Sequence, residues 1–224
     1  MDLIMFFNQY TKNFGRSLFL IPSHIIASFV KTSFMVGSKF AFFSAVNCAL
    51  PLSGIFAGYT GIFLSMMTRL LFLIFCSSTM IMVNTIPSFV ASIYLKTNSK
   101  TIQCLISVIC MVLFLLHPQG SMAKIYALYW IIPIIVSLFF NRYLYLRFLG
   151  TTFTAHAIGS VLFLYQTNMS AGYWNGLISI VIFERLLFTA GMIIMYEIFS
   201  KIFHAVENKE FKTIKIKAIR IERV

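Results

Sequence analysis

The sequence predicts an all-α fold: a polytopic membrane helical bundle of about six transmembrane helices with both termini cytoplasmic. Three observations predict it. The 224 residues are 59% hydrophobic and only 11% charged, where a soluble domain usually carries about 25% charge. A globule of this size in water has too much surface to hide so much apolar side chain, and a disordered chain needs low hydrophobicity. The apolar residues fall in runs near the roughly 20 residues that a bilayer core requires of a helix. The cations lie between those runs and sort to one side, as cytoplasmic loops do.

The elements follow in order. Residues 1–39 read as a cytoplasmic or interfacial segment. Within it, 17–30 is apolar, moderately long and contains Pro22 and His24, which suits a half-inserted helix. No cleavable leader is expected, because Asp2 opens the chain and no basic stretch precedes Leu3. The bundle occupies 40–200. Its first stretch, from 40 to 95, carries a single charge, Arg69. It reads as two spans, 40–67 and 70–95, the first bent at Pro51; three shorter spans are the alternative. A short span at 102–116 follows. The turn His117-Pro118-Gln119-Gly120 leads to 123–140, then to 148–165, and an uncharged loop leads to the last span, 174–200. The basic tail, 201–224, completes the chain.

With six spans, Lys12, Arg16, Lys31, Lys39, Lys96, Lys100, Arg142, Arg147 and the tail share one side, and Arg69 and Lys124 take the other. A seven-span count would break that sorting. The net charge is +12, yet no basic face alternates with polar or aromatic residues, so no nucleic acid partner is expected. The tail cations read as a topology signal in contact with anionic membrane lipid, or as a docking tail. Cys48, Cys76, Cys104 and Cys110 fall in apolar runs without a C-x-x-C pair, and the four histidines are scattered; neither a metal site nor a cofactor is expected.

Glu184 and Arg185 are the sharpest feature. They lie ten and eleven residues past Trp174, about 15 Å along one continuous helix and so near the bilayer midplane. Ionisable groups there face a partner or a wet cavity. Adjacent helical residues point about 100° apart, so the two are not expected to face each other. Thr152, His156 and Ser160 recur four apart and form a polar stripe. His156 is a candidate partner for Glu184, or a packing residue satisfied elsewhere. Tyr126 and Trp130 share a face with Pro133, and Trp174 and Asn175 open the last span. These aromatics are interface anchors or a clamp on a flat small-molecule substrate at the outer mouth. Asn168-Met169-Ser170 matches a glycosylation sequon without meaning in a bacterial protein.

Ala41, Ala45 and Ala49 recur four apart, and Gly54, Ala57, Gly58 and Gly61 follow. Small residues let helices approach closely in lipid, either within the bundle or against a partner subunit. Size, six apolar spans with both ends inside, and the Ala41/Ala45/Ala49 spacing resemble the substrate-capture (S) subunit of energy-coupling-factor vitamin transporters, over about 39–201. Pro51, in Ala49-Leu50-Pro51-Leu52-Ser53-Gly54, departs from that family's unbroken small-residue helix. The resemblance implies docking through the alanines to a transmembrane coupling subunit driven by two ATPases. It also implies capture of a vitamin-sized molecule in the outer half, no catalysis, and residence in a bacterial inner membrane. Two other classes stand beside it: a membrane scaffold for an envelope machine, in which Glu184 and His156 serve folding alone, and an intramembrane enzyme using either as acid or base.

Overall fold

A computed structural model describes residues 49–76, 79–167 and 169–221. Among the described residues every regular element is a helix. Helix α1 spans Ala49–Cys76 as two pieces joined at a kink. The kink falls at Gly58, with φ 64° and ψ −157°, and not at Pro51. That backbone region is essentially reserved for glycine, whereas the pyrrolidine ring locks proline near φ −65°. Gly54 serves packing inside the chain: a Cβ there would stand 2.9 Å from Ile62 Cδ1.

Helix α2 is Thr79–Lys96, and it packs along α1. The expected break at 67–70 is therefore wrong, and Arg69 belongs to the body of α1. Met66-Met67-Thr68-Arg69-Leu70-Leu71 offers nothing that stops a helix. Helix α3 is Lys100–Leu116, N-capped by Ser99. The expected turn after it is a short helix, α4 (Pro118–Met122). His117 Nδ1 accepts from the Gln119 N–H and Pro118 supplies a preset φ at the first helical position.

The expected single span at 123–140 is three pieces: α5 (Lys124–Ala127), a 3-10 turn (Leu128–Trp130) and α6 (Ile131–Phe139). Pro133 explains the tightening, since its ring crowds the carbonyl four residues upstream, at Tyr129. Helix α7 is Leu144–Thr167, α8 is Ala171–Gly176, and α9 runs from Ile178 through Ile221. Helix α9 continues past residue 200 into the basic tail. Among the described residues, two stretches are long and apolar enough to cross a membrane: α7, and Ile178–Ala205 of α9.

Helix α7 is the centre of the bundle and touches α2, α3, α6 and α9. Of its apolar stretch 56% is buried, against 17% for α9. Gly150 makes one contact possible: a Cβ there would stand 2.4 Å from the Tyr94 hydroxyl. That hydroxyl donates to the Pro133 carbonyl and lies 2.9 Å from Ser137 Oγ, joining α2, α6 and α7.

One end of the bundle is closed by polar caps. The Arg147 guanidinium on α7 donates to the Leu95 and Thr97 carbonyls at the end of α2. Gln103 Nε2 on α3 reaches the Tyr94 and Thr97 carbonyls, and Lys100 Nζ donates to the Leu138 carbonyl at the end of α6. The last carbonyls of a helix lack internal partners and carry partial negative charge. Lys96, Lys100, Arg142 and Arg147 thus share one end, and two of them bind helix termini as well as charging a surface.

Candidate functional site

At the opposite end α4 and α8 lie across the bundle and touch each other. The Ala171 N–H at the start of α8 donates to Gln119 Oε1 on α4. Gly120 permits the closeness of α4 to α3: a Cβ there would collide with the Phe114 carbonyl oxygen at 2.0 Å. Beneath this cover lies an aromatic cluster. Phe114 meets Trp130 and Trp174 edge-on at centroid separations of 5.1 and 5.4 Å, and it stacks on Tyr126 at 5.5 Å. Tyr126 in turn meets Trp174 at 5.1 Å and Trp130 at 6.1 Å. Offset and edge-to-face contacts of this kind stabilise by about 0.5–1.5 kcal/mol each beyond area burial.

Three polar side chains complete the cluster. The Tyr126 hydroxyl lies 2.7 Å from His156 Nε2 and 3.0 Å from Ser160 Oγ. The α7 stripe of Thr152, His156 and Ser160 therefore does face inward. Its other neighbour is α9, where Thr152 Oγ1 meets Thr189 Oγ1 at 2.9 Å. One turn from that contact on each antiparallel helix lie His156 and Arg185, so the two stand at the same level of the bundle. Tyr129 pins the start of α9 by donating to the Ile178 carbonyl at 2.8 Å.

Comparison with protein-family models, with curated proteins and with solved structures returns no match to this chain. The site is therefore read from its own residues. Of those singled out in the sequence, Tyr126, Trp130, Trp174 and His156 meet in one cluster, with Arg185 at its edge. Asn175 is exposed next to Trp174. Ala41 and Ala45 lie outside the described residues, as does Asn168, and Ala49 is the first residue of α1.

Three expectations are corrected. Glu184 and Arg185 do pair, with Arg185 Nη2 2.8 Å from Glu184 Oε1. Their backbones diverge, but the long arginine side chain bridges the angle; its guanidinium also stacks on the Phe188 ring at 4.2 Å. They are also shallower than one helix from Trp174 would place them. Trp174 belongs to α8, so Glu184 lies six residues into α9, about 9 Å along its axis. The expected His156–Glu184 contact gives way to His156–Tyr126, because the α7–α9 register sets Arg185, not Glu184, against His156.

Phe114, which touches Tyr126, Trp130 and Trp174, carried no signal in the sequence beyond its place in an apolar run. Neither Trp130 Nε1 nor Trp174 Nε1 has a hydrogen-bond partner among the described residues. An unpaired buried donor costs about 1–3 kcal/mol. Among the described residues no group of three His, Cys, Asp or Glu comes together that could hold a metal ion.

Proposed function

We propose that this chain is an integral membrane protein that binds a flat small molecule at its aromatic end, as the substrate-capture subunit of an uptake system. The membrane part rests on an inverted pattern. On α3 the buried face is Gln103, Ser107, Cys110 and Phe114, while Leu105, Val108, Ile109, Val112 and Leu116 face outward. On α9 Ile180, Phe183, Leu186, Ile194 and Ile198 are exposed. Water does not tolerate continuous apolar faces of this kind on a monomer; lipid does. α1, α2, α3, α5 with α6, α7 and α9 would then be six spans, and the cation-rich end would be cytoplasmic.

The single observation that carries the binding reading is the meeting of Tyr126, Trp130, Trp174 and His156 under α4 and α8. Binding sites are mostly apolar and aromatic with few polar groups that orient the guest. Here the hydroxyl–imidazole network would orient it. The guest would enter by separating α4 from α8, which the Gln119–Ala171 hydrogen bond joins. Uptake would need a separate transmembrane coupling subunit with ATPases. The docking alanines carried over from the resemblance would form that contact.

The full burial of the cluster favours one alternative. Trp130 is 0% and Trp174 2% exposed, as in a packing core, and a membrane scaffold needs nothing more. Native mass spectrometry of the gently purified protein separates the two readings. A stoichiometric small molecule lost in Trp130→Phe, with the fold retained, supports capture. A protein free of small molecules that no candidate compound stabilises against heat supports the scaffold.

A further inference from the structure

We propose that the guest of the aromatic site is a flat organic carboxylate, held by donors supplied from Trp130, Trp174 and Arg185. The inference deepens the binding reading above and rests on it. The unused hydrogen-bonding capacity of the site is of one kind. Among the described residues, Trp130 Nε1, Trp174 Nε1 and Arg185 Nε have no hydrogen-bond partner. Each is an N–H donor, and neither an indole nor a guanidinium offers an acceptor.

The acceptors nearby are already engaged. Tyr126, His156 and Ser160 bond to one another, and Glu184 Oε1 is held by Arg185 Nη2. A guest that brought further donors, such as an amine, would deepen the shortage. A carboxylate brings two oxygens and no donor, and a guanidinium fork matches its geometry. Charge points the same way. The Arg185 side chain is 12% exposed while Glu184 is 35% exposed. A guest carboxylate on Arg185 keeps the buried cation paired. The rest of the guest is flat and apolar, because Phe114, Tyr126 and the two indoles present ring faces and edges.

The chain contains only two tryptophans, both in this cluster, so intrinsic tryptophan emission reports on the site alone. The test titrates purified full-length protein in nanodiscs with 2-naphthoate, 2-naphthamide and 2-naphthylmethylamine, following absorbance-corrected tryptophan quenching and titration calorimetry. The expected result is saturable binding of the carboxylate at least about tenfold tighter than the amide. That preference should shrink to within about twofold in Arg185→Gln and be partly kept in Arg185→Lys. An amide or amine that binds as tightly as the carboxylate overturns the carboxylate assignment and leaves the binding reading standing. So does a preference that survives in Arg185→Gln. Absence of binding by all three probes overturns both. If Arg185→Gln fails to fold, the carboxylate-to-amide ratio of the unaltered protein decides.

Discussion

Thr152 on α7 and Thr189 on α9 meet hydroxyl to hydroxyl at 2.9 Å, and this contact sets the register of the two helices. Each hydroxyl has one proton, so one of them donates across the helix pair while the other donates to a carbonyl of its own helix, Thr152 Oγ1 to Leu149 or Thr189 Oγ1 to Arg185. The register brings Arg185 to the level of His156. Thr152→Val and Thr189→Val should each destabilise by about 1 kcal/mol, and the double variant should cost less than the sum. A double-mutant cycle in denaturant unfolding measures the coupling; strict additivity would mean that the hydroxyls do not interact.

The imidazole of His156 should couple to Tyr126 and not to Glu184. Tyr126→Phe removes the hydroxyl 2.7 Å from Nε2. Combined with His156→Ala, it should show a coupling of about 0.5–1.5 kcal/mol. The matching cycle with Glu184→Gln should show none. Coupling to Glu184 in place of Tyr126 would contradict the α7–α9 register described above.

Gly150 and Tyr94 form a second test of packing. Gly150→Ala places a methyl 2.4 Å from the Tyr94 hydroxyl and 3.0 Å from its Cζ. The expected loss is about 1–3 kcal/mol, as for other overpacked sites. Tyr94→Phe alone loses the bonds to Pro133 and Ser137, about 1 kcal/mol. In combination with Gly150→Ala it should recover some of the loss, because the closest clashing atom is gone. Thermal unfolding of the four proteins gives the answer.

The kink in α1 is testable in the same way. At φ 64° and ψ −157°, Gly58→Ala should cost about 1–3 kcal/mol in backbone strain. Pro51→Ala should change stability far less, since the bend does not depend on the ring. If the order is reversed, the bend belongs to Pro51.

Both tryptophans should emit like buried indoles. With Trp130 and Trp174 at 0% and 2% exposure, the emission should be blue-shifted, and iodide in the aqueous phase should quench it poorly. Gln119→Ala removes the acceptor that ties α8 to α4 and should increase that quenching. Unchanged quenching would mean that this bond does not hold the cover down.

Much of the helical layout was legible because hydropathy and capping are local. The spans expected at 102–116 and 148–165 appear as Lys100–Leu116 and Leu144–Thr167, shifted by four residues at most. The aromatic candidates Tyr126, Trp130 and Trp174 were visible as unusual side chains at the ends of apolar runs, and they do converge. What misled was any inference that needed a break inside an apolar run. The end of α1 at Cys76 and a separate α8 before α9 leave almost no trace in average hydropathy, yet the second alone moves Glu184 about 6 Å along the helix axis.

By itself, then, the sequence determined that this chain is helical and which stretches are apolar. Each of these is a property of neighbours along the chain, set by side-chain chemistry and a 3.6-residue repeat. The tertiary structure decided the rest: that Phe114 joins Tyr126, Trp130 and Trp174 in one cluster, that Tyr126 and not Glu184 bonds to His156, and that Arg147 caps a helix 52 positions away. Those contacts join residues far apart in sequence. They depend on the register and close approach of packed helices, which small features such as the Thr152–Thr189 bond and the missing Cβ of Gly150 control.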